Sequence, residues 1–423
     1  MDIAAPNETA QIEVKDPFDR FLAPVLFLGA AVLYNAILAF LNAHVMHVSE
    51  KTVIMAEGII VLGACAYMAT KLKFLRDCQP IFLFQIAMLV IFCMVTLLSE
   101  FLNVKAFRDI FLITVFTLLG TLTNEKSIIR LYTVLAAITL AVLLLEAFAT
   151  ETYAMIFNPA SYYGATRGLE NPDFNDTGIF LNAMSFEGRF TLGIINVSHR
   201  ISSIFIEQVS LGNFAIILTM FTSLLWDKLG YKARALLVFT IFMIVATNNS
   251  RTALALCLIF SVGHFIFPKL PRFTHVIYLP LIIVILLSMY GYDNCNENIP
   301  VLISDDLKGR LNTAYCSLAN MKPSAVAGAE SSQSRVFWDS GIAYFIYSQS
   351  LLGFLVLYCL VSFLLKPTNK TSILLNHYLS LIIFANLTTS MALFSIKVSA
   401  PIWFLCGYIY IKEKQLLINK RII

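Results

Sequence analysis

Long apolar runs separated by short polar segments fill most of the chain. A helix needs about 20 apolar residues to cross the hydrocarbon core of a bilayer, and twelve runs approach that length. The fourth, seventh, eighth and twelfth runs are the shortest. The pattern predicts an all-α, polytopic transmembrane bundle of about twelve helices, at 21–41, 52–69, 81–98, 107–122, 128–148, 210–226, 233–247, 252–267, 274–290, 341–364, 372–391 and 398–411.

Two long polar segments interrupt this pattern and divide the chain into six regions. Loops of this length inside a compact protein usually carry function. The regions are an N-terminal tail at 1–20, N-terminal membrane helices at 21–148, a first long loop at 149–209, central membrane helices at 210–290, a second long loop at 291–340, and C-terminal membrane helices with a tail at 341–423.

The composition supports a membrane protein. Hydrophobic residues make up 58% of the 423 residues, and charged residues make up 13%, against about 25% in an ordinary soluble domain. The net charge of +4 is small, so nucleic-acid binding is not indicated. The first apolar run, 21–41, is longer than the roughly 7–15 residues of a signal-peptide core, so we interpret it as a retained first helix.

Basic residues predict the orientation of the chain. With twelve helices, 18 Lys and Arg residues fall in the tails and short loops of one face, and 5 fall in the short loops of the other. Because Lys and Arg in short loops face the cytoplasm, both termini are predicted to be cytoplasmic. The two long loops then face outward, which for a bacterial inner membrane means the oxidising periplasm.

Cys295 and Cys316 fall together in the second long loop. An oxidising compartment favours a disulfide between them, and two free thiols are the alternative. The chain has no Gly-rich phosphate loop, no nucleophile elbow and no zinc-spaced Cys/His set. The sequence therefore predicts neither a metal site nor a cofactor.

The first candidate segment lies at the end of the first long loop. It places Arg200, Glu207 and Asn213 just outside the membrane. Arginine is costly in lipid and tends to face a cavity or a partner, and its planar fork binds phosphate oxygens in pairs. Glu207 is a candidate base or a partner of Arg200. An ion pair that only fixes the loop to the helix is the structural alternative.

Further candidate cations follow along the chain. Ser250-Arg251 forms a polar turn between two short helices, and Ser334-Arg335 precedes the tenth helix. Arg310 lies within the second long loop. Each arginine also fits a role that involves no substrate, as an interfacial anchor or a solvated loop residue.

These segments carry a family resemblance. Arg200-Ile-Ser-Ser-Ile-Phe-Ile-Glu207-Gln-Val-Ser-Leu-Gly-Asn213 resembles the Arg…Phe-x-Glu…Gly-Asn segment of Wzy-type exopolysaccharide polymerases. The Ser250-Arg251 turn and Ser334-Arg335-Val-Phe-Trp338 are similar to segments of the O-antigen polymerase and O-antigen ligase family. The resemblance covers mainly 195–345, and each motif is short.

The resemblance implies a GT-C-like helical fold and a glycosyltransferase that needs no metal. Its donor would be an oligosaccharide repeat unit on undecaprenyl diphosphate, and its acceptor a second lipid-linked repeat unit. A chain-length-regulating membrane protein is a further partner that this family allows, besides membrane lipid. The pathway would be exopolysaccharide or O-antigen synthesis.

The implied chemistry gives each candidate a role. Arg251 and Arg335 would bind the departing diphosphate, where positive charge stabilises the transition state. Arg200 would be a third cation, and Asn213, Ser250, Ser334 and Arg310 would contact substrate. Glu207 is the first candidate for the base that deprotonates the acceptor hydroxyl. The alternatives for that base are Asp305, Asp306 and Asp339.

Two other functions remain as alternatives. An O-antigen ligase would need a histidine in or after the second long loop, and the sequence has none between His275 and His377. A polysaccharide flippase or other transporter would need charges at membrane depth along a path. Glu57 and Glu146 are the main residues of that kind.

Overall fold

Helices form the regular structure of the described chain. The computed structural model describes residues 19–169, 174–179, 190–195, 197–289, 295, 307–330 and 340–422, and it contains seventeen α-helices within them. Their bounds are α1 Asp19–His44, α2 Glu50–Ala69, α3 Leu72–Leu75, α4 Gln79–Ser99, α5 Val104–Thr121, α6 Glu125–Phe148, α7 Thr150–Phe157, α8 Pro159–Arg167, α9 Gln208–Leu224, α10 Tyr231–Asn248, α11 Arg251–Ile266, α12 Tyr278–Leu287, α13 Leu307–Ala319, α14 Pro323–Val326, α15 Gly341–Phe363, α16 Lys370–Thr389 and α17 Ile396–Ile422.

Every predicted apolar run coincides with one of these helices. Eight of them are long and apolar enough to cross a membrane: α1, α2, α4, α6, α10, α11, α15 and α16. Helix α9 and the segment Thr274–Leu287 are apolar but shorter. Helices α5 and α17 carry charged residues near their starts, Lys105, Arg108 and Asp109 in α5 and Lys397 in α17. The all-α membrane bundle is confirmed, while the count of twelve crossings remains a prediction.

The centre of the bundle is built on α5, α9 and α17, whose side chains are buried on nearly all sides. Helices α2, α4 and α12 instead leave one apolar face exposed, as expected for helices that border lipid. Two glycines let α5 and α17 approach closely. A Cβ on Gly407 would lie 1.8 Å from the carbonyl oxygen of Thr117, and one on Gly120 would lie 2.0 Å from that of Phe404. Small residues at membrane helix contacts permit this close approach.

Replacing Gly407 by alanine is therefore expected to destabilise the fold. The new methyl group would meet backbone, which cannot rotate away, so α5 and α17 must separate, at a cost of about 1–3 kcal/mol. Gly58→Ala is the matched control, because a Cβ on this helical glycine has no neighbour within 4 Å. Thermal unfolding in detergent should show a lower midpoint for Gly407→Ala alone. Equal midpoints would contradict the packing described for α5 and α17.

Both long loops contain ordered structure. Helices α7, α8 and the 3-10 turn Ser203–Phe205 lie in the first, and α13 and α14 lie in the second. The predicted pair Cys295 and Cys316 is joined by a disulfide, with Cα atoms 5.1 Å apart. This bond fastens residue 295 to α13.

Helix α15 is broken where the sequence predicts a continuous helix. Ser350 has φ 66° and ψ 166°, and it caps the second half of the helix. Gly328, from the second long loop, packs beside Ser350 and against Val95 of α4. Gly328, two residues after the end of α14, therefore lies between α4 and α15 at the break.

Candidate active site

Buried polar side chains gather at one end of the bundle. Hydrogen bonds and ion pairs join the helix ends that meet there. These are the C-terminal ends of α1, α6, α10 and α16 and the N-terminal ends of α2, α5, α9, α15 and α17. We call this the loop end, because both long loops join it. By the orientation predicted from the basic residues, it is the outward end.

The segment 199–208, which leads into the first residue of α9, lies at the centre of the loop end and is held by Glu146. This glutamate is 1% exposed and sits in the last turn of α6. Its carboxylate accepts hydrogen bonds from the backbone N–H groups of Ser202 and Ser203 and from the Ser202 hydroxyl. The His199 ring also lies 3.2 Å from it and is buried. Glu146 and His199 thus have a structural role here.

Other side chains fix the carbonyl groups of the same segment. Tyr153 and Tyr163, from α7 and α8, donate to the carbonyls of Ser203 and Ile206 at 2.9 and 2.8 Å. Ser203 and Ile206 have φ of 51° and 57°. A β-branched residue rarely adopts positive φ, and such strain persists only where surrounding contacts impose it. The segment is therefore held in one conformation that its own backbone disfavours.

Asn248, the last residue of α10, connects Arg200 to this framework. Its side-chain amide donates to the carbonyls of Ile201 and Gln208, at 2.8 and 2.7 Å. Its own carbonyl accepts from Nε of Arg200 at 2.9 Å. Arg251 begins α11 three residues later. Arg200 and Arg251 are distant in sequence, but both lie beside the C-terminal end of α10. We call this part of the loop end, with Arg200, Asn248 and Arg251, the corner.

Glu207 is paired with cations other than Arg200. Nζ of Lys397 lies 2.8 Å from Oε2, and the Arg167 guanidinium lies 3.4 Å from Oε1. The Ser210 hydroxyl also donates to Oε2, at 2.7 Å. Burial alone would raise the pKa of Glu207, but Lys397 and Arg167 outweigh burial and hold that pKa well below its usual range. A base works best with a pKa near the operating pH, so these pairs make Glu207 a weak base.

The remaining predicted site residues have varied environments. Arg251 is exposed, with its guanidinium 5.2 Å from the centre of the Phe190 ring. The Ser250 hydroxyl caps α11, and Arg310 of α13 donates to the carbonyl of Thr389. Asn213 is buried inside α9 and donates to the carbonyl of Val209. It therefore lies beneath the loop end.

Ser334 and Arg335 lie outside the described residues, as do Asp305, Asp306 and Asp339. The predicted approach of Arg335 to Arg251 therefore stays a prediction. Within the described residues, no group of three His, Cys, Asp or Glu side chains could hold a metal ion.

A second charged group lies beside the first at the loop end. Arg108 of α5 binds Glu57 of α2 at 2.6 Å and its neighbour Asp109 at 2.9 Å. Tyr344 of α15 donates to Asp109 at 2.8 Å, and Lys105 lies over the Tyr344 ring. These contacts tie α2, α5 and α15 together. The two carboxylates most relevant to a transporter, Glu57 and Glu146, therefore both have structural partners.

The partners of Glu207 could not be predicted from the sequence. Arg167 falls in the first long loop and Lys397 just before the last apolar run, both on the predicted outward side, but nothing in their spacing indicates that they meet a carboxylate at 207. The same holds for Glu146, whose partners begin 53 residues later. For Glu146, the only signal in the sequence is its position as a charged residue near the end of an apolar run.

Comparison with known proteins adds no family to this description. The chain matches no protein-family model, no curated protein and no solved structure.

Proposed function

We propose that the chain is a membrane glycosyltransferase that polymerises oligosaccharide repeat units carried on undecaprenyl diphosphate. The reaction would take place at the periplasmic face of a bacterial inner membrane. The observation that carries the proposal is the fixed corner at the loop end. There, buried side chains hold the segment 199–208 in a strained conformation, and Arg200 binds the end of α10, three residues before Arg251 begins α11.

The chemistry of glycosyl transfer needs such cations. The acceptor hydroxyl oxygen bonds to the anomeric carbon, and the bond from that carbon to the diphosphate oxygen breaks. The electron pair leaves with the diphosphate, and the hydroxyl proton passes to a base. Negative charge therefore grows on the diphosphate, where preorganised positive groups lower the barrier. Because Nε of Arg200 is bound to Asn248, its guanidinium is positioned before substrate arrives.

The alternatives receive less support from the described contacts. His199 is the outward histidine nearest these arginines, and it is buried against Glu146, which argues against the ligase. A transporter would need unpaired charges along a path, whereas Glu57 is bound to Arg108 and Glu146 to backbone.

Complementation of a strain that lacks the chain tests the proposal. Arg251→Ala and Arg335→Ala should reach the membrane, yield no long glycan and accumulate single lipid-linked repeats on the outer leaflet. Arg234→Ala is the control, since this arginine lies at the opposite end of the bundle, over Trp226. Accumulation on the inner leaflet would instead establish a transporter. Normal glycan length in both arginine variants would refute the polymerase.

A further inference from the structure

Glu207 lies between two cations that differ in their surroundings. Lys397 is 3% exposed by side chain, Glu207 is 27% exposed, and Arg167 is 48% exposed. The three side chains therefore form a row that runs from the protein interior toward the open side of the loop end.

Lys397 is the fixed member of this row. Its ammonium group binds Glu207 at 2.8 Å and also donates to the carbonyl of Phe205 at 3.2 Å. It stands in the first turn of the buried helix α17. A buried ammonium group that lost its carboxylate would be an unpaired buried charge, which strongly destabilises a fold. Lys397 and Glu207 are therefore expected to stay together.

Arg167 is held much more loosely. It is the last residue of α8, and both of its terminal nitrogens approach the same oxygen of Glu207 at 3.4 Å. This distance is long for a charged hydrogen bond, which is normally about 2.7–2.9 Å. The guanidinium also lies over the Tyr163 ring, 4.5 Å from its centre. Stacking on the ring can keep the guanidinium in place while its hydrogen-bonding partner changes.

The charges of this row favour an additional anion. Two cations share one carboxylate, and two other carboxylates of the loop end are already bound, Glu57 to Arg108 and Glu146 to the backbone N–H groups of Ser202 and Ser203. Arg200 adds positive charge at the other end of the segment 199–208. Because partly buried charge is costly without a counter-ion, the open side of Arg167 suits an anionic group of a ligand.

We propose that Glu207 is a built-in anion that occupies the cation Arg167 while the site is empty, and that an arriving diphosphate takes Arg167 from it. Glu207 then remains with Lys397, and Arg167 becomes a diphosphate ligand. The identity of the anion as a prenyl diphosphate rests on the proposed function. In this exchange one arginine–carboxylate pair breaks and one arginine–phosphate pair forms, and no covalent bond changes.

Binding of farnesyl diphosphate to the purified full-length chain in nanodiscs, measured by calorimetry, tests the exchange. Arg167→Ala should weaken binding roughly tenfold or more, as expected for a lost hydrogen bond between charged groups. Glu207→Gln should strengthen binding several-fold, because no carboxylate then competes for Arg167. A base or a purely structural Glu207 predicts unchanged or weaker binding in Glu207→Gln. Arg234→Ala, at the opposite end of the bundle, should bind as the unmodified chain does.

A folding check distinguishes a loss of binding from a loss of structure. Glu207→Gln leaves Lys397 without its carboxylate, so its folding is checked by size-exclusion chromatography. If it does not fold, Arg167→Ala decides, because the pair of Lys397 and Glu207 stays intact in that variant. Unchanged binding in Arg167→Ala, or no binding to the unmodified chain, overturns the exchange.

The outcome is separable from that of the proposed function. If Arg251→Ala abolishes polymer while Arg167→Ala binds farnesyl diphosphate normally, the exchange is wrong and the polymerase stands. If binding responds to both Arg167 and Glu207 as expected but Arg251→Ala and Arg335→Ala both leave polymer length unchanged, the exchange stands and the polymerase is refuted.

Discussion

Replacing Glu146 by glutamine is expected to unfold the loop end. The carboxylate accepts from the backbone N–H groups of Ser202 and Ser203, and it is almost fully buried. Glutamine has the same shape, but its NH₂ group cannot accept where a carboxylate oxygen does. If the NH₂ takes the place of Oε2, the Ser203 N–H loses its acceptor; if it takes the place of Oε1, the Ser202 hydroxyl loses its acceptor and the Ser202 N–H faces a second donor. Each buried donor left without a partner costs about 1–3 kcal/mol.

The measurement is thermal unfolding in detergent, followed by the fraction of monodisperse protein. Glu151→Gln is the matched control, because this glutamate is exposed on α7, a few residues further along the chain. We expect a clearly lower midpoint, or no recoverable protein, for Glu146→Gln and no change for Glu151→Gln. A normal midpoint for Glu146→Gln would mean that the segment 199–208 does not depend on α6.

Glu146 also shows what the sequence predicts poorly. Its position near the end of an apolar run suggested a charge on a transport path. In the fold, the carboxylate instead replaces the regular hydrogen-bonding partners that the irregular segment 199–208 lacks. The hydropathy pattern shows that a charged residue lies within an apolar stretch, but it does not show which distant backbone groups bind that charge. Contacts of this kind depend on which helix ends are neighbours.

The helices themselves were predictable because lipid imposes length and composition on them. The predicted run 21–41 corresponds to the helix Asp19–His44, and the predicted run 128–148 corresponds to the helix Glu125–Phe148. The break at Ser350 was not predictable, because 341–364 contains no proline and reads as one apolar run. Packing of Gly328 beside the break involves a loop distant in sequence, and such tertiary contacts override local helix preference.

The candidate site was likewise predictable from the sequence only in part. The arginines were visible because charge is scarce in this chain and Arg is costly near lipid. The pairing of Arg200 with the end of α10 places it near the start of α11 and Arg251, while the convergence of these arginines with Arg335 stays a prediction. The role of Glu207 as a base loses support for a reason that lies outside its own segment, since Lys397 belongs to the last helix. Spacing within one motif carries no information about such a partner.

Arg251→Ala is expected to lower the rate of polymerisation by roughly 10²–10³-fold, about 2.7–4 kcal/mol of barrier, as for the loss of one preorganised donor to a developing anion. Arg251 is exposed and begins α11, and its described contact is with the Phe190 ring. Its removal should therefore leave the fold intact, so that the loss appears in the rate and not in the melting temperature.

Two comparisons identify the cause of such a loss. Arg251→Lys keeps the charge but not the planar fork, so an intermediate rate would show that paired phosphate contacts contribute beyond charge alone. Arg234→Ala removes an arginine that stacks on Trp226 with similar geometry at the opposite end of the bundle, and it should polymerise at the normal rate. Rates are measured with lipid-linked repeats and the purified enzyme in nanodiscs. Because the negative charge of the transition state grows on the diphosphate, an Arg251→Ala enzyme with normal turnover would mean that the leaving group is stabilised elsewhere. The corner between Arg200 and Arg251 would then lose its assigned chemistry.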